Sequence, residues 1–336
     1  MPVESLPGLG DVRSKRLHDS NIFTVMDLGN TTPMEVKEIT GLDELEDAVK
    51  LVSLAKEILI TKNVIGKSRM TGRELLAFRD RRIEFLTTGC PKLDSLVLGG
   101  GIQTEAITEF FGLFGCGKTQ MALTLSVLCQ LPKSKGGLDG SVIYIDTENT
   151  FRPNRIIDIA MDRTGCSKEE AENYLDNIMV IKAFNSSHQI QIIDSLSHFM
   201  NEEANEKTRS LKKKPRLLII DSLTAHFRTE YIGRGNLNPR QTKMGAMLRK
   251  ILRTIETWKL ACVITNQVLS SPDGNQFIDP IKPVGGNIVG HLSTYRVYIK
   301  RAGKKRIVTM IDSPEHAENS TLIELDIGGV KDAPGN

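Results

Sequence analysis

One glycine-rich segment constrains this chain more than any other feature. It reads Gly112-Leu113-Phe114-Gly115-Cys116-Gly117-Lys118-Thr119, after an apolar run over 106–111 and before a helical pattern over 120–129. Glycines let backbone N–H groups wrap phosphate oxygens, a lysine neutralises phosphate charge, and a threonine hydroxyl is a ligand for Mg²⁺. Because the segment lies between a predicted strand and a predicted helix, it predicts a nucleoside triphosphate site.

Three further polar residues end apolar strand patterns. Asp221 follows 216–220 and supplies the carboxylate that a Mg²⁺ water shell needs, unless it only caps the next turn. Glu148 follows 142–145 and is the candidate group that orients and deprotonates water; the alternative is an exposed loop glutamate. Gln267 ends a third run with an uncharged amide that could sense a γ-phosphate by hydrogen bonding, unless it is an ordinary polar strand end.

Helical and strand patterns divide the chain into three parts. Residues 1–60 predict a compact helical domain, and 61–82, which are rich in Lys, Arg, Gly and Thr, predict a linker. Over 83–336 short apolar runs alternate with helical patterns, which predicts an α/β domain with a mostly parallel sheet. The last three predicted strands lack helices between them and predict an antiparallel extension.

Composition excludes several other classes. The net charge of +3 excludes a polycation of histone type, although local basic patches can still bind nucleic acid. The five cysteines are odd in number and none are spaced as C-x-x-C, which argues against a disulfide framework or a zinc site. No signal-peptide pattern is present and no apolar stretch reaches about 18 residues, so we expect a soluble, intracellular protein without membrane contact.

Several motifs follow one another in a fixed order along the chain. They are residues 112–120, Tyr144-Ile-Asp-Thr-Glu148, Phe151-Arg-Pro-Asn-Arg155, Thr265-Asn-Gln-Val268 and Lys282-Pro-Val-Gly-Gly286. This ordered set resembles the RecA/RadA family of recombinases, in particular the archaeal RadA and eukaryotic strand-exchange branch, and the resemblance covers nearly the whole chain. It implies a RecA-like P-loop ATPase core over 83–336 and a small all-α helix-hairpin-helix domain over 1–60.

The resemblance also implies roles at the nucleotide site. Residues 112–120, Gln120 included, would bind ATP, with Thr119 and Asp221 at the Mg²⁺ ion. Glu148 would be the general base and Lys118 would neutralise the β- and γ-phosphates. Gln267 would link the γ-phosphate to the DNA site. Two residues would complete the nucleotide contacts: the adenine would pack on Arg155, and the segment that caps ATP on an adjacent subunit would begin at Asp312.

Two predicted loops would face DNA, one over 231–240 and one over 268–287. Gly-flanked arginines on polar loops suit a phosphate backbone, although such arginines are also commonly only solvated. The candidate contacts in or beside these loops are Arg228, Arg234, Arg240, Val268, Gly285 and Gly286. In the N-terminal domain Gly8 and Gly10 would present backbone N–H groups to a DNA phosphate, unless the domain is only a packing module.

The sequence departs from the family pattern at several positions. In the linker, where the family docks on a neighbouring subunit through Phe and Ala, Met70 and Arg73 stand instead. Met is apolar and adaptable, so we expect Met70 to be the anchor, unless the register shifts to Leu75 or Leu76. At the nucleotide site Leu113 stands where the family usually has an acidic residue, and Cys116 stands where it usually has Ser or Thr. Asn149 replaces a usual Gly, and Ala317 replaces a usual Pro.

These observations predict an ATP- and Mg²⁺-dependent recombinase that forms filaments on single-stranded DNA and catalyses strand exchange. The expected partners are single- and double-stranded DNA, further copies of the chain in a filament or ring, and recombination mediators. The expected location is the cytoplasm or nucleoid, or the nucleus in a eukaryote. The alternatives are an accessory paralogue with weak ATPase activity and a RecA-fold helicase.

Overall fold

The computed structural model describes residues 1–62, 64–67, 69–268 and 283–334, and their side chains except that of Arg234. Over these residues the chain divides into two compact units. One is Met1–Arg82 with Asp194–Arg209, and the other is Ile83–Ile193 with Ser210–Asn336. Among the described helices, none combines the length and the apolar character that crossing a bilayer requires. The boundaries 1–60, 61–82 and 83–336 stay predictions.

Capping residues mark the helix starts of the smaller unit. Its helices include α1 (Asp11–Asp19), α2 (Val25–Asn30), α3 (Pro33–Thr40), α4 (Leu45–Thr61) and α5 (Gly72–Asp80). Before α2, α3 and α5 a threonine exchanges hydrogen bonds with an acidic residue three positions later, which satisfies N–H groups that a helix start leaves free. The faces of α1–α4 share an apolar core that includes Leu17, Leu28, Val36, Val52 and Leu59.

The larger unit is organised around one mixed sheet. The strands of this unit are β1 (Phe85–Leu86), β2 (Ile102–Gln103), β3 (Ile107–Gly112), β4 (Ser141–Asp146), β5 (Ile178–Lys182), β6 (Pro215–Asp221), β7 (Ala261–Gln267), β8 (Tyr295–Ala302), β9 (Lys305–Asp312), β10 (Ser320–Asp326) and β11 (Gly329–Asp332). The helices that begin after residue 83 are α6 (Pro91–Leu96), α7 (Lys118–Leu128), α8 (Pro153–Thr164), α9 (Lys168–Glu172), α10 (Ser186–Ala204), α11 (Ala225–Glu230), α12 (Leu237–Trp258) and α13 (Gly286–Leu292).

The strand order of the sheet is β11-β10-β9-β8-β3-β7-β6-β4-β5, and β1 pairs separately with β2. Each neighbouring pair in the series β8-β3-β7-β6-β4-β5 is parallel. Each neighbouring pair in the series β8-β9-β10-β11 is antiparallel. The predicted α/β fold, with a mostly parallel sheet and an antiparallel extension, is therefore confirmed. β11 adds a strand that the sequence patterns do not predict.

Strand register brings four chain segments to one edge of the sheet. In the parallel pair β3 and β7, Gly112 lies opposite Gln267. In the parallel pair β4 and β6, Asp146 lies opposite Asp221. Because parallel strands end at the same edge, the polar residues that follow these apolar strands gather there, as ligand sites do in open α/β sheets.

Helix α7 connects this edge to the core. Its residues from Met121 to Leu128 are all buried, so it is enclosed on every side and not amphipathic in the usual sense. Its first residue, Lys118, is the lysine of the glycine-rich segment. The segment is thus fixed at one end by β3 and at the other by a buried helix.

Alkylation of the native protein near pH 8 is expected to modify Cys166 first, because Cys90, Cys116, Cys129 and Cys262 are buried. Burial also raises the pKa of Cys90 and that of Cys129 to about 12, so these thiols remain protonated and unreactive. Peptide mass spectrometry after a short iodoacetamide pulse checks the order of labelling. Labelling of Cys116 as fast as Cys166 would contradict its burial.

Candidate active site and nucleic-acid interface

The glycine-rich segment forms a loop between β3 and α7. Gly115 and Gly117 have φ angles of 72° and 115°, which glycine adopts without strain. At Gly112 a Cβ atom would lie 2.3 Å from the carbonyl oxygen of Ile299, so the close approach of β8 requires glycine. The Lys118 ammonium turns into the loop and donates a hydrogen bond of 2.9 Å to the Gly112 carbonyl oxygen. The lysine therefore lies against the backbone of the loop and lines the same cavity.

A cavity of about 200 Å³ opens in front of this loop. It brings together residues from the ends of β3, β4, β6 and β7 and from the start of α7. The predicted site residues that line it are Phe114, Gly115, Gly117, Lys118, Thr119, Gln120, Glu148, Asp221 and Gln267. Leu113 and Phe114 are both exposed at the tip of the loop.

The carboxylate of Glu148 is held by two neutral donors. Its Oε1 atom accepts a hydrogen bond of 2.6 Å from the Ser222 hydroxyl and one of 3.1 Å from the Gln267 amide nitrogen Nε2. Both partners are uncharged, and Glu148 is exposed and lines the cavity. The geometry suits a group that accepts a proton, and it joins the predicted base directly to the predicted γ-phosphate sensor.

The segment that carries Glu148 is organised by Asp146. This carboxylate is only 2% exposed and accepts backbone hydrogen bonds from Glu148 (3.2 Å), Thr150 (3.1 Å) and Phe151 (3.0 Å). Within the same turn Asn149 has a φ of 55°, a left-handed conformation that asparagine tolerates where the family has glycine. Asn149 therefore allows the left-handed backbone conformation next to Glu148, the predicted base.

Asp221 is buried and surrounded by hydroxyl groups. Its Oδ2 atom accepts hydrogen bonds from the Tyr144 phenol at 2.8 Å and from Thr150 at 3.3 Å, and its Oδ1 atom accepts one from Thr265. Burial, and next the nearby Asp221 carboxylate, raise the pKa of Tyr144 well above its ordinary value, so the phenol stays a donor. Sequence patterns do not single out Tyr144, because a buried tyrosine in a strand reads as core.

The residues that line the cavity have the chemistry that a triphosphate with Mg²⁺ requires. Thr119 and Asp221 offer the hard oxygen atoms that Mg²⁺ prefers, and Lys118 offers the complementary charge for phosphate. The described residues contain no cluster of three or more His, Cys, Asp or Glu side chains able to hold a metal by themselves. Thr119 and Asp221 together with Lys118 fit a Mg²⁺ ion that is bound partly by phosphate oxygens.

Arg155 does not line the cavity but adjoins it. Its guanidinium donates a hydrogen bond of 2.9 Å to Gln120, one of 2.6 Å to the Ile327 carbonyl oxygen, and another to that of Asp326. Arg155 thereby attaches the turn between β10 and β11 to the start of α7. Asp312 lies exposed at the end of β9, outside the cavity.

The first predicted DNA loop is shorter than the sequence suggests. A short 3₁₀ turn over Arg234–Asn236 leads directly into α12, so Arg240 lies in the first turn of a helix and not in a loop over 231–240. Pro239 stands in that first turn, where proline is compatible with a helix. Arg228 is exposed on α11. Lys243, which sequence reasoning did not select, donates a hydrogen bond of 2.7 Å to the Tyr231 hydroxyl beside this loop.

The two ends of the second predicted DNA loop lie side by side. Val268 forms an antiparallel bridge with Pro283, and the Val284 N–H donates a 2.9 Å hydrogen bond to the Gln267 carbonyl oxygen. Gly285 and Gly286 follow with positive φ angles and begin α13. The remainder of this predicted loop, 269–282, lies outside the described residues.

The predicted contacts of the smaller unit are also located. Gly8 and Gly10 have φ angles of 82° and 73°, and Gly10 immediately precedes α1. Met70 immediately precedes the capping residue Thr71 of α5 and is half-buried. Its methyl group lies so near Gly66 that a Cβ there would be 2.7 Å from Met70 Cε.

Comparison with known proteins gives a consistent result. A family model described as Rad51 matches residues 79–333. A protein of Cenarchaeum symbiosum (strain A), named DNA repair and recombination protein RadA, is 44% identical over 331 residues, which are 98% of this chain and 79% of that protein. Proteins with the same name from Methanocorpusculum labreanum (40% identity over 338 residues) and Methanoculleus marisnigri (38% over 334) match over 98% of both chains. Since the family model matches more than half of the chain and these relatives match nearly all of it, the chain belongs to the Rad51 family, whose RecA/RadA motifs its sequence carries.

Proposed function

We propose that this recombination and repair protein is a DNA-dependent ATPase that assembles on single-stranded DNA and catalyses homologous pairing and strand exchange. The observation that carries the proposal is the hydrogen bond between Gln267 and Glu148, because it joins the proposed catalytic base to the stem of a proposed DNA loop. The name DNA repair and recombination protein RadA, borne by the relatives, supports the same reading.

In the proposed mechanism the loop N–H groups and Lys118 bind the ATP phosphates. Thr119 and Asp221 would hold Mg²⁺, which supplies charge neutralisation at the phosphates. Glu148 accepts the proton of the attacking water, while Ser222 and Gln267 fix the direction of its carboxylate. Arg155 would contact the adenine beside the turn that it anchors, and Asp312 would begin a segment that caps ATP on a neighbouring subunit.

In the larger unit the proposed DNA contacts follow β6 and β7 along the chain, the strands that end with Asp221 and Gln267. Arginines of the first loop would neutralise phosphates, and Val268 would insert between bases. The full set of proposed contacts is Arg228, Arg234, Arg240, Val268, Gly285, Gly286, Gly8 and Gly10. The last two would bind a phosphate of single- or double-stranded DNA through backbone N–H groups.

A second candidate function is an accessory recombinase paralogue that hydrolyses ATP slowly. It is favoured by Cys116, whose sulfur lies 3.7 Å from the Lys118 ammonium nitrogen, where the family has a small hydroxyl residue. A thiol is a weaker hydrogen-bond partner than a hydroxyl and occupies more space. A low ATPase rate that DNA does not raise would favour this candidate over a recombinase.

Lys118→Ala is expected to abolish ATP turnover, because it removes the cation of the phosphate loop. Glu148→Gln should keep ATP binding but slow hydrolysis by about a hundredfold, the usual effect of losing a general base. Phosphate-release kinetics with and without single-stranded DNA, alongside nucleotide-binding titrations, measure both effects. Lys168→Ala and Glu172→Gln, on α9, are matched controls. Turnover of Glu148→Gln within about twofold of wild type would assign the base to another group.

Arg234→Ala and Arg240→Ala should weaken the binding of single-stranded DNA for all sequences alike. Each change should reduce the slope of log affinity against log salt by about 0.7 to 1, the value for one released counterion. Arg253→Ala is the matched control, since it lies on α12 some 20 Å further along the helix. Fluorescence anisotropy at several salt concentrations gives the slopes, and unchanged slopes would mean that both arginines are only solvated.

Met70→Asp should yield smaller assemblies that still bind ATP, because a carboxylate cannot occupy the apolar position proposed for a subunit anchor. Light scattering of the full chain, with and without single-stranded DNA, measures assembly into a filament or ring. Met34→Asp is a matched control, since Met34 is an exposed methionine on α3. Assemblies of wild-type size in Met70→Asp would move the anchor to Leu75 or Leu76, both of which are exposed on α5.

A further inference from the structure

The amide of Asn266 occupies an unusual position beside the active site. The residue is fully buried and immediately precedes Gln267. Its Nδ2 atom donates hydrogen bonds of 2.7 Å to Glu109 Oε1 and 2.7 Å to the Val284 carbonyl oxygen. Its Oδ1 atom accepts one of 2.7 Å from Thr224 and one of 2.8 Å from the Gln267 N–H. Both donors and both acceptor positions of the amide are therefore in use.

A buried ion pair holds the far side of this amide. Glu109 is fully buried on β3, and its Oε2 atom accepts a hydrogen bond of 2.8 Å from Arg296 Nε. The Arg296 guanidinium lies 5.4 Å from the centre of the Phe111 ring. It also lies against Gly290 of α13, where an added Cβ would be 3.1 Å from its Nη1 atom. The cluster thus reaches the helix that follows the second loop.

Each partner of the amide belongs to a different functional element. Val284 closes the stem of the second loop, with its carbonyl oxygen bonded to Asn266 and its N–H bonded to Gln267. Thr224 is the residue before α11, which leads into the first loop. Gln267 carries the side chain that contacts Glu148. Both proposed DNA loops and the nucleotide site therefore meet at one side chain.

We propose that Asn266 is a positioning residue through which DNA bound at either loop alters the setting of Gln267 and thereby of Glu148. The inference rests on the proposed function, since it assigns the route by which DNA would regulate that ATPase. A fully bonded amide cannot follow one partner without weakening its bonds to the others. When Val284 or Thr224 moves, the Asn266 amide therefore moves with it and shifts the Gln267 backbone.

Other residue types cannot replace this amide. Aspartate would lose both donors and would place a second carboxylate beside Glu109. An apolar residue would leave Glu109 and the Val284 carbonyl oxygen without these partners inside the core. Because changes at Asn266 disturb so many bonds at once, the gentler test acts on its partner Thr224, which is 1% exposed and contributes one hydroxyl.

The experiment compares Thr224→Val, which removes that hydroxyl at nearly constant shape, with Thr224→Ser, which keeps it. Thr254→Val is the matched control, because Thr254 is also buried and its hydroxyl donates to the backbone carbonyl of Lys250 on its own helix. Binding of a labelled oligo-dT strand is measured with and without Mg²⁺ and a non-hydrolysable ATP analogue. Basal and DNA-stimulated ATPase rates and thermal unfolding are measured on the same proteins.

The DNA affinity with nucleotide is divided by the DNA affinity without nucleotide, and Thr224→Val is expected to lower this ratio by about fivefold, the effect of one lost buried hydrogen bond. It should lower the stimulation of the ATPase by DNA by a similar factor. Basal ATPase should stay within about twofold of wild type, and Thr224→Ser and Thr254→Val should keep the wild-type ratio. An unchanged ratio in folded Thr224→Val would overturn the proposal. If Thr224→Val loses stability and every activity in parallel, Thr224 has only a structural role, and the proposal is overturned as well.

Hydrogen exchange of the wild-type protein gives a measurement that needs no variant. Adding oligo-dT without nucleotide should slow exchange at the Gln267 and Val284 amides together, and unchanged exchange at both would contradict the proposed route. If wild-type protein shows neither DNA-stimulated ATPase nor nucleotide-dependent DNA affinity, the proposed function itself fails. If the wild-type protein shows normal coupling and Thr224→Val keeps it, only the proposed route through Asn266 fails.

Discussion

The parallel pairing of β3 with β7 and of β4 with β6 is the constraint on which the rest of the structure depends. Its register sets the start of the phosphate loop opposite Gln267 and sets Asp146 opposite Asp221. Strands β4, β6 and β7 are largely apolar and carry polar residues at their carboxyl ends, so hydrophobic burial of the sheet brings these polar ends together. Burial of the core and assembly of the site are thus consequences of one arrangement.

At this edge the carboxylates are held mainly by neutral groups. Asp146 is bonded to backbone N–H groups, Asp221 to hydroxyls, and Glu148 to a hydroxyl and an amide. An adjacent lysine or arginine would bind the same oxygens, and it would then compete with a bound metal ion for them. Neutral donors fix the direction of each carboxylate without placing a second cation beside it.

Much of this was predictable from the sequence, because the informative signals are local. Strand periodicity and the glycine-rich segment predict the sheet, its antiparallel extension and most residues of the cavity. The contacts of Tyr144 and Asn266 were not predictable, since their partners lie far away in sequence and a buried polar residue in a strand carries no local signal. The first loop was predicted too long because its glycines outweighed the helix start at Leu237. The contacts of Met70 depend on a turn around Gly66 that composition does not reveal.

The enclosure of α7 has a consequence for how the site responds to ligand. A helix buried from Met121 to Leu128 can move only if the surrounding core opens, which is a high-energy event close to global unfolding. Within the segment from β3 to α7, conformational change on ligand exchange is therefore expected in the few residues between β3 and Lys118, where the exposed Leu113 and Phe114 lie. The buried helix holds Lys118 and Thr119 in a fixed position. The tip of the loop is the part of this segment that can change its conformation when a ligand binds.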